Sequence, residues 1–421
     1  MNPRARAGGL VLVTVASLAL RSAADDRFWP HWRGPLMTGA AARGNPPIEW
    51  SETKNVKWKA EIPGLGSATP VVWGDRIYVQ TAVPTAAGGK QQFVVLAVSR
   101  PDGKVLWQRV VREEAPHEGH HATNTYASAS ALTDGQHVYA FFGSQGLYAL
   151  DTDGRVKWEK DLGDMNVKMG FGEASSPVLH GDTLVVNWDH EGASFIVALD
   201  KRSGKELWRV PRDEKTSWAT PLVVEHGGRA QVITSATSRV RSYDLATGAL
   251  LWEASGMTAN AIPTPVHEDG IVYLTSGFRG NALLAVKLAD AKGDVTNTPA
   301  VLWRYDRDTP YVPSPLLYGG QLYFLKSNSG VLSSFDAATG KKLYGEQRLE
   351  GVPNVYASPV GVGGRLYIAG RDGATAVVQH GVDFKQLAVN TLEDGFDATP
   401  AAVGDELYLR GRKSLYRISV K

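Results

Sequence analysis

The chain has 421 residues, 43% of them hydrophobic, and its 45 Lys and Arg against 43 Asp and Glu leave a formal net charge of +2. A balance that even gives no bulk electrostatic case for nucleic acid. The complete lack of Cys excludes disulfides, thiolate metal sites, c-type haem and cysteine nucleophiles together.

Residues 1–24 read as a secretory signal. Arg4 and Arg6 precede an apolar run from Gly8 to Leu20, and Ser22-Ala23-Ala24 offers small residues for cleavage near Ala24, although Arg21 beside that cut is unusual. The run is too short and too weakly flanked for a membrane span, and no Cys follows it to carry a lipid. The expectation is therefore a periplasmic or secreted protein with neither a transmembrane nor a lipid anchor. Residues 25–54, with Trp29, Trp32 and the pair Pro46-Pro47, read as an extension packed on the surface of the main domain at 55–421.

From residue 55 to 421 two markers repeat. The first is an apolar pair, Asp, a short turn with Gly, and an aromatic residue. It reads Ala149-Leu150-Asp151 to Gly154 and Trp158, then Ala198-Leu199-Asp200 to Gly204 and Trp208, then Ser242-Tyr243-Asp244 to Gly248 and Trp252. A weaker copy runs from Ser334-Phe335-Asp336 to Gly340 and Tyr344. Each copy predicts a β-hairpin whose turn tolerates positive φ. The Trp column falls at Trp58, Trp107, Trp158, Trp208, Trp252 and Trp303, a period of roughly 45–50 residues that indicates a propeller or related array.

The second marker is a small hydroxyl residue before an apolar strand, at Thr69, Ser130, Ser176, Thr220, Thr264, Ser314, Ser358 and Thr399. It predicts eight units, each with strands A to D from the inside outward. The last unit stops at Leu415-Tyr416-Arg417-Ile418, after strand C, while Val56-Lys57-Trp58-Lys59 stands alone near the start. The fold class is therefore all-β: an eight-bladed β-propeller of four-stranded antiparallel blades, its ring closed by the N-terminal strand, which removes an exposed sheet edge.

These tryptophan-bearing repeats resemble the PQQ-like, quinoprotein-type β-propeller superfamily, which holds quinoprotein alcohol dehydrogenases and the assembly lipoprotein of the BAM complex. The resemblance covers about residues 55–421. It implies the fold; function varies on one scaffold.

Strand order puts the A–B and C–D turns on one face and the B–C and D–A loops on the other, and the second set carries the chemistry. The loop Pro116-His117-Glu118-Gly119-His120-His121 offers imidazoles for Zn, Mn, Cu or Ca chemistry, with His190 as a further ligand. Asp189, His190 and Glu191, with Glu173 beside them, form the candidate catalytic group, the carboxylates serving as general base. A basic arc of Arg239, Arg279, Lys326, Arg371, Arg410 and Arg412 suggests an anionic or polyhydroxylated ligand. Tyr126, Trp218, Tyr311, Tyr356 and Phe396 are placed to stack on sugar rings.

The reading these residues support first is a small-molecule or carbohydrate site, with metal-assisted hydrolysis or elimination on an anionic substrate. The alternative is a non-catalytic periplasmic scaffold with an envelope protein partner, although the missing lipid-anchor Cys counts against the lipoprotein's own role. A PQQ-dependent dehydrogenase ranks third. Those enzymes are longer, many carry a vicinal Cys pair beside the cofactor, and this chain has no Cys.

Overall fold

Eight β-sheets stand in a ring. The computed structural model describes residues 27–86 and 88–420, so the expected leader at 1–24 lies outside the described residues. Blade 3 shows the plan, with A at Val178–His180, B at Thr183–Trp188, C at Phe195–Asp200 and D at Glu206–Pro211, antiparallel throughout. Burial follows the layers. Strands B and C sit between neighbouring blades and are buried on both faces, whereas D strands alternate, as in the half-buried, exposed pattern of Glu206–Pro211. Among the described residues the helices are short 3-10 turns such as Gly143–Gln145, and none is long and apolar enough to cross a membrane.

The eighth blade is composite. Val56–Glu61 pairs antiparallel with Ser414–Ile418, Lys59 opposite Tyr416 and Ala60 opposite Leu415. The first strand of the ring thus supplies the outer strand of the last blade, as the orphan Trp58 segment predicts.

The Trp column and the Asp–Gly turns are two halves of one contact. Trp158 at the end of blade 2 donates its indole N–H to Lys201 O of blade 3 at 2.9 Å, and a Cβ at Gly204 would sit 2.7 Å from the same indole. Gly204 has φ +68°, so its turn and the ring beneath it both require glycine. Asp200 holds that turn by accepting the N–H and hydroxyl of Ser203. The same indole-to-carbonyl bond joins Trp58 to Arg100, Trp107 to Thr152, Trp208 to Leu245 and Trp303 to Ala337. Trp252 departs from the pattern and donates within its own blade to Gln231, where the short strand Gly293–Asp294 runs parallel along the outer edge of blade 4.

The hydroxyl marker has a structural reason as well. Around the central channel the N–H of each marker residue donates to the hydroxyl of the next: Thr69 to Ser130, then Ser176, Thr220, Thr264, Ser314, Ser358 and Thr399, at 2.9–3.2 Å. This chain of bonds satisfies seven backbone donors at the inner ends of the A strands.

The segment before the ring does more than lie on the surface. Phe28–Trp29 pairs with Val72 and Trp73 at the inner edge of blade 1, and Thr133 of blade 2 donates to Pro30 O. The chain then crosses to the far side, where Leu317 of blade 6 donates to Thr38 O and Gly361 of blade 7 bonds Gly39 and Ala41. Trp32 lines the channel, and Arg33 is fully buried with its Nη2 on the carbonyls of Thr38 and Pro315. The segment spans the axis and stoppers one end of the channel.

Candidate functional site

The open end is the face of B–C and D–A loops. A narrow cleft between blades 2 and 3 is lined by His117, Glu118, Tyr126, Glu173, Asp189 and Trp218, among others. Six predicted or adjoining residues therefore do share one recess. What each side chain is bonded to decides what it can do.

Asp189 is part of a closed network. Its carboxylate takes a bidentate grip from Arg212 at 2.7 and 3.0 Å and accepts from Asn187 and from the Ser217 hydroxyl. Both charged side chains are fully buried. Arg212 also donates to Thr234 and Tyr243, and although burial opposes its charge, Asp189 holds its pKa above the ordinary value. Arg212 carries no marker in the sequence, yet it is the residue that fixes the role of Asp189: a buried carboxylate that accepts four hydrogen bonds, two of them from a guanidinium, is a poor general base.

His190 and Glu191 are loop staples. The His190 ring accepts the Asn166 N–H at 2.9 Å, its own backbone N–H donates to Ser194, and the residue is buried. Glu191 accepts from the Thr216 N–H and hydroxyl; burial raises its pKa, but these bonds and nearby Lys215 and Lys168 outweigh it and the net shift is downward.

Glu173 differs. Its carboxyl sits in the cleft against Gly143, where any side chain would collide with it, and accepts the Ser144 N–H at 2.7 Å and hydroxyl at 2.5 Å. Burial nonetheless pushes it up to about 7, a value suited to proton transfer near neutral pH.

The histidine loop does not gather. His117 Nε2 donates to Met165 O at 2.7 Å, His120 Nδ1 to His121 O at 2.9 Å, and His121 Nδ1 bonds Thr123. The His120 ring stands edge-on to Tyr126 and the His121 ring edge-on to Phe171. Among the described residues no group of three or more His, Asp or Glu is arranged to hold a metal ion. The donor set His117, His120, His121 and His190 therefore does not fit Zn, Mn or Ca, because the four rings are engaged separately, at Met165, His121, Thr123 and Asn166, and do not converge.

The basic arc divides. Arg239 pairs with Glu253 and Asp294 toward the outer rim of blade 4, and Lys326 pairs with Asp308 at 2.7 Å. Arg279 stands exposed with φ +54°, 5.4 Å over the Phe278 ring. Arg371 pairs with Asp397 and lies 4.1 Å over Tyr356, Arg412 shares Asp397, and Arg410 is buried.

Of the aromatics, Tyr311 stacks on Phe278 at 4.7 Å, and with Tyr356, Trp218 and Phe171 they line an apolar cup at the mouth of about 900 Å³. The Trp218 N–H is tied to Gly172 O, and Tyr126 donates to Glu118 O. Phe396 is 1% exposed and packs on Tyr416 in the core, so it is no stacking platform.

The same ring of blades is found in known proteins. A family model described as outer membrane protein assembly factor BamB matches residues 40–195 and again 192–421. The chain belongs to that family. Outer membrane protein assembly factor BamB of Yersinia pestis is 24% identical over 346 residues, 76% of this chain and 78% of that protein. A polyvinylalcohol dehydrogenase of a Pseudomonas species is 24% identical over 274 residues, 53% of this chain and 40% of that protein. Among solved structures, BamB from Moraxella catarrhalis matches with TM-score 0.60 at 15% identity, over 86% of this chain and 99% of that one. A europium-containing methanol dehydrogenase matches with TM-score 0.66 at 12% identity, over 93% and 91%. At such identities the structural matches establish the PQQ-like propeller fold, and the assignment to the BamB family rests on the family model.

Proposed function

We propose that this protein is a non-catalytic binding propeller of the cell envelope, an assembly factor like its BamB relatives, which docks a protein partner on the B–C and D–A loop face. The observation that carries the reading is the family match across nearly the whole ring. The site chemistry agrees with it: Asp189, His190 and Glu191 are spent on holding loops together. The mouth instead offers an apolar aromatic cup ringed by charge, a composition typical of protein contact surfaces. The test is photo-crosslinking of the full chain in its own host, from Tyr311 at the mouth and from Glu225 on the opposite face. Adducts with an outer-membrane assembly protein from Tyr311 alone are expected; adducts from neither position would overturn the reading.

A second reading is hydrolysis or elimination on a carbohydrate or other anionic small molecule, without metal. It is favoured by Glu173, whose raised pKa and position in the cleft beside His117 and Glu118 suit a general acid. A glycan screen comparing the protein with Glu173→Gln tests it. The PQQ-dependent dehydrogenase has less support, since the chain has no Cys to form the vicinal pair that many such enzymes carry beside the cofactor.

A further inference from the structure

We propose that the rim where blades 7, 8 and 1 meet is a carboxylate-binding pocket in which Arg410 grips the carboxylate and Arg371 and Arg412 flank it. The pocket lies between the loop Leu65–Ser67, the turn around Thr123, and the ends of strand B in blades 7 and 8. The proposal stands apart from the docking reading, since a small anion can bind whether or not a protein does.

Arg410 ends strand B of blade 8 and is 1% exposed. Nη1 donates to Gln80 O at 2.9 Å, while Nε has no hydrogen-bond partner. Among the described residues no carboxylate comes within ion-pair distance of it. Asp394 is the carboxylate that acts on it through space, but that side chain is occupied in accepting the N–H groups of Gly395, Arg412, Lys413 and Ser414. Burial lowers the Arg410 pKa to about 10, which leaves it charged at neutral pH. A buried guanidinium whose Nε lacks a partner is costly unless an anion meets it.

The surroundings are built for such an anion. Three guanidiniums line the pocket against one carboxylate, Asp397, which Arg371 holds at 2.5 Å and Arg412 at 3.1 Å. Gly66 faces the Arg410 fork, and a Cβ there would stand 2.9 Å from Nη2. Glycine at that position leaves space beside Nη2. A planar fork with parallel donors matches a carboxylate better than it matches a tetrahedral oxyanion approached from one edge. The carboxylate can come from a free organic acid or from a polypeptide, as its C-terminus or an acidic side chain.

Isothermal titration calorimetry of the full chain with succinate, with a short Asp-containing peptide in free-acid and amidated forms, and with inorganic phosphate decides the matter. Binding of succinate or of the peptide is expected, weakened by added salt and about tenfold by Arg412→Gln, whose side chain is half exposed. Arg410→Lys, which keeps the charge and loses the fork, is expected to weaken it at least as much. Succinate binding supports a free acid as the source, and binding of the peptide alone supports a polypeptide. No binding by either, binding that neither variant alters, or phosphate binding as tightly as succinate would overturn the proposal.

Discussion

Trp58 packs its indole against Gly103 and, through the Arg100 carbonyl at 2.9 Å, ties the outer strand of blade 8 to blade 1. The contact fastens the one place where the ring is joined by residues far apart in sequence. Lys59, 5.1 Å above the Tyr416 ring, adds to the same seam. Removing residues 55–62 is expected to open that seam and leave the edge of Ser414–Ile418 unpaired. The loss should be several kcal/mol, a large part of a typical net stability of about 5–15 kcal/mol. Thermal melting checks it: a cooperative transition at the parent temperature would show that the ring does not depend on this strand.

The inter-blade contact can be tested at an ordinary blade as well. Gly204→Ala places a Cβ against Trp158 at a backbone with φ +68°. The strain and the displaced indole together should cost roughly 2 kcal/mol or more. Trp158→Phe, which keeps an aromatic ring and loses the bond to Lys201 O, should cost about 1 kcal/mol. Urea unfolding measures both, and the two effects should not add, since they act on one contact.

Asp189→Ala leaves Arg212 charged and without its partner in the interior. A loss of about 3–5 kcal/mol is expected, and the double change Asp189→Leu with Arg212→Met should be markedly milder than either single change. A double variant that loses the sum of the two single losses in a double-mutant cycle would show that the pair is not coupled.

Glu173 makes stability depend on pH. Its folded-state pKa, about 7, lies above the ordinary value of 4.5, so the folded state holds the proton more tightly. The folded protein is therefore favoured below pH 4.5 and loses that advantage as pH rises through 7. The full shift corresponds to about 3 kcal/mol, and roughly 2 kcal/mol is expected because the carboxyl keeps some contact with solvent through the cleft. Glu173→Gln should abolish this part of the pH dependence, and the variant should gain on the parent between pH 5 and pH 8 in parallel denaturation curves.

The legible and illegible parts of the sequence divide along a physical line. Contacts that recur from blade to blade leave a periodic trace, which is why Trp158 with Gly204, the hydroxyls from Thr69 to Thr399, and the strand of Trp58 as a misplaced copy of the pattern are all legible in the residues alone. Contacts made once leave none. Arg212 looks like any loop arginine until Asp189 is found across the same blade, and His190 reads as a ligand until Asn166 is seen to occupy its ring nitrogen. Residue type suggested reactivity at these positions, whereas partner geometry assigned them to structure. Arg410 and Arg239 share an expected role, but one is buried without a carboxylate and the other is paired twice at the rim.

The stopper formed by Trp29 to Ala41 governs traffic. With Arg33 wedged among the carbonyls of Thr38 and Pro315, the segment lies across one end of the channel and leaves the B–C and D–A loop face as the open approach to the hydroxyl-lined interior.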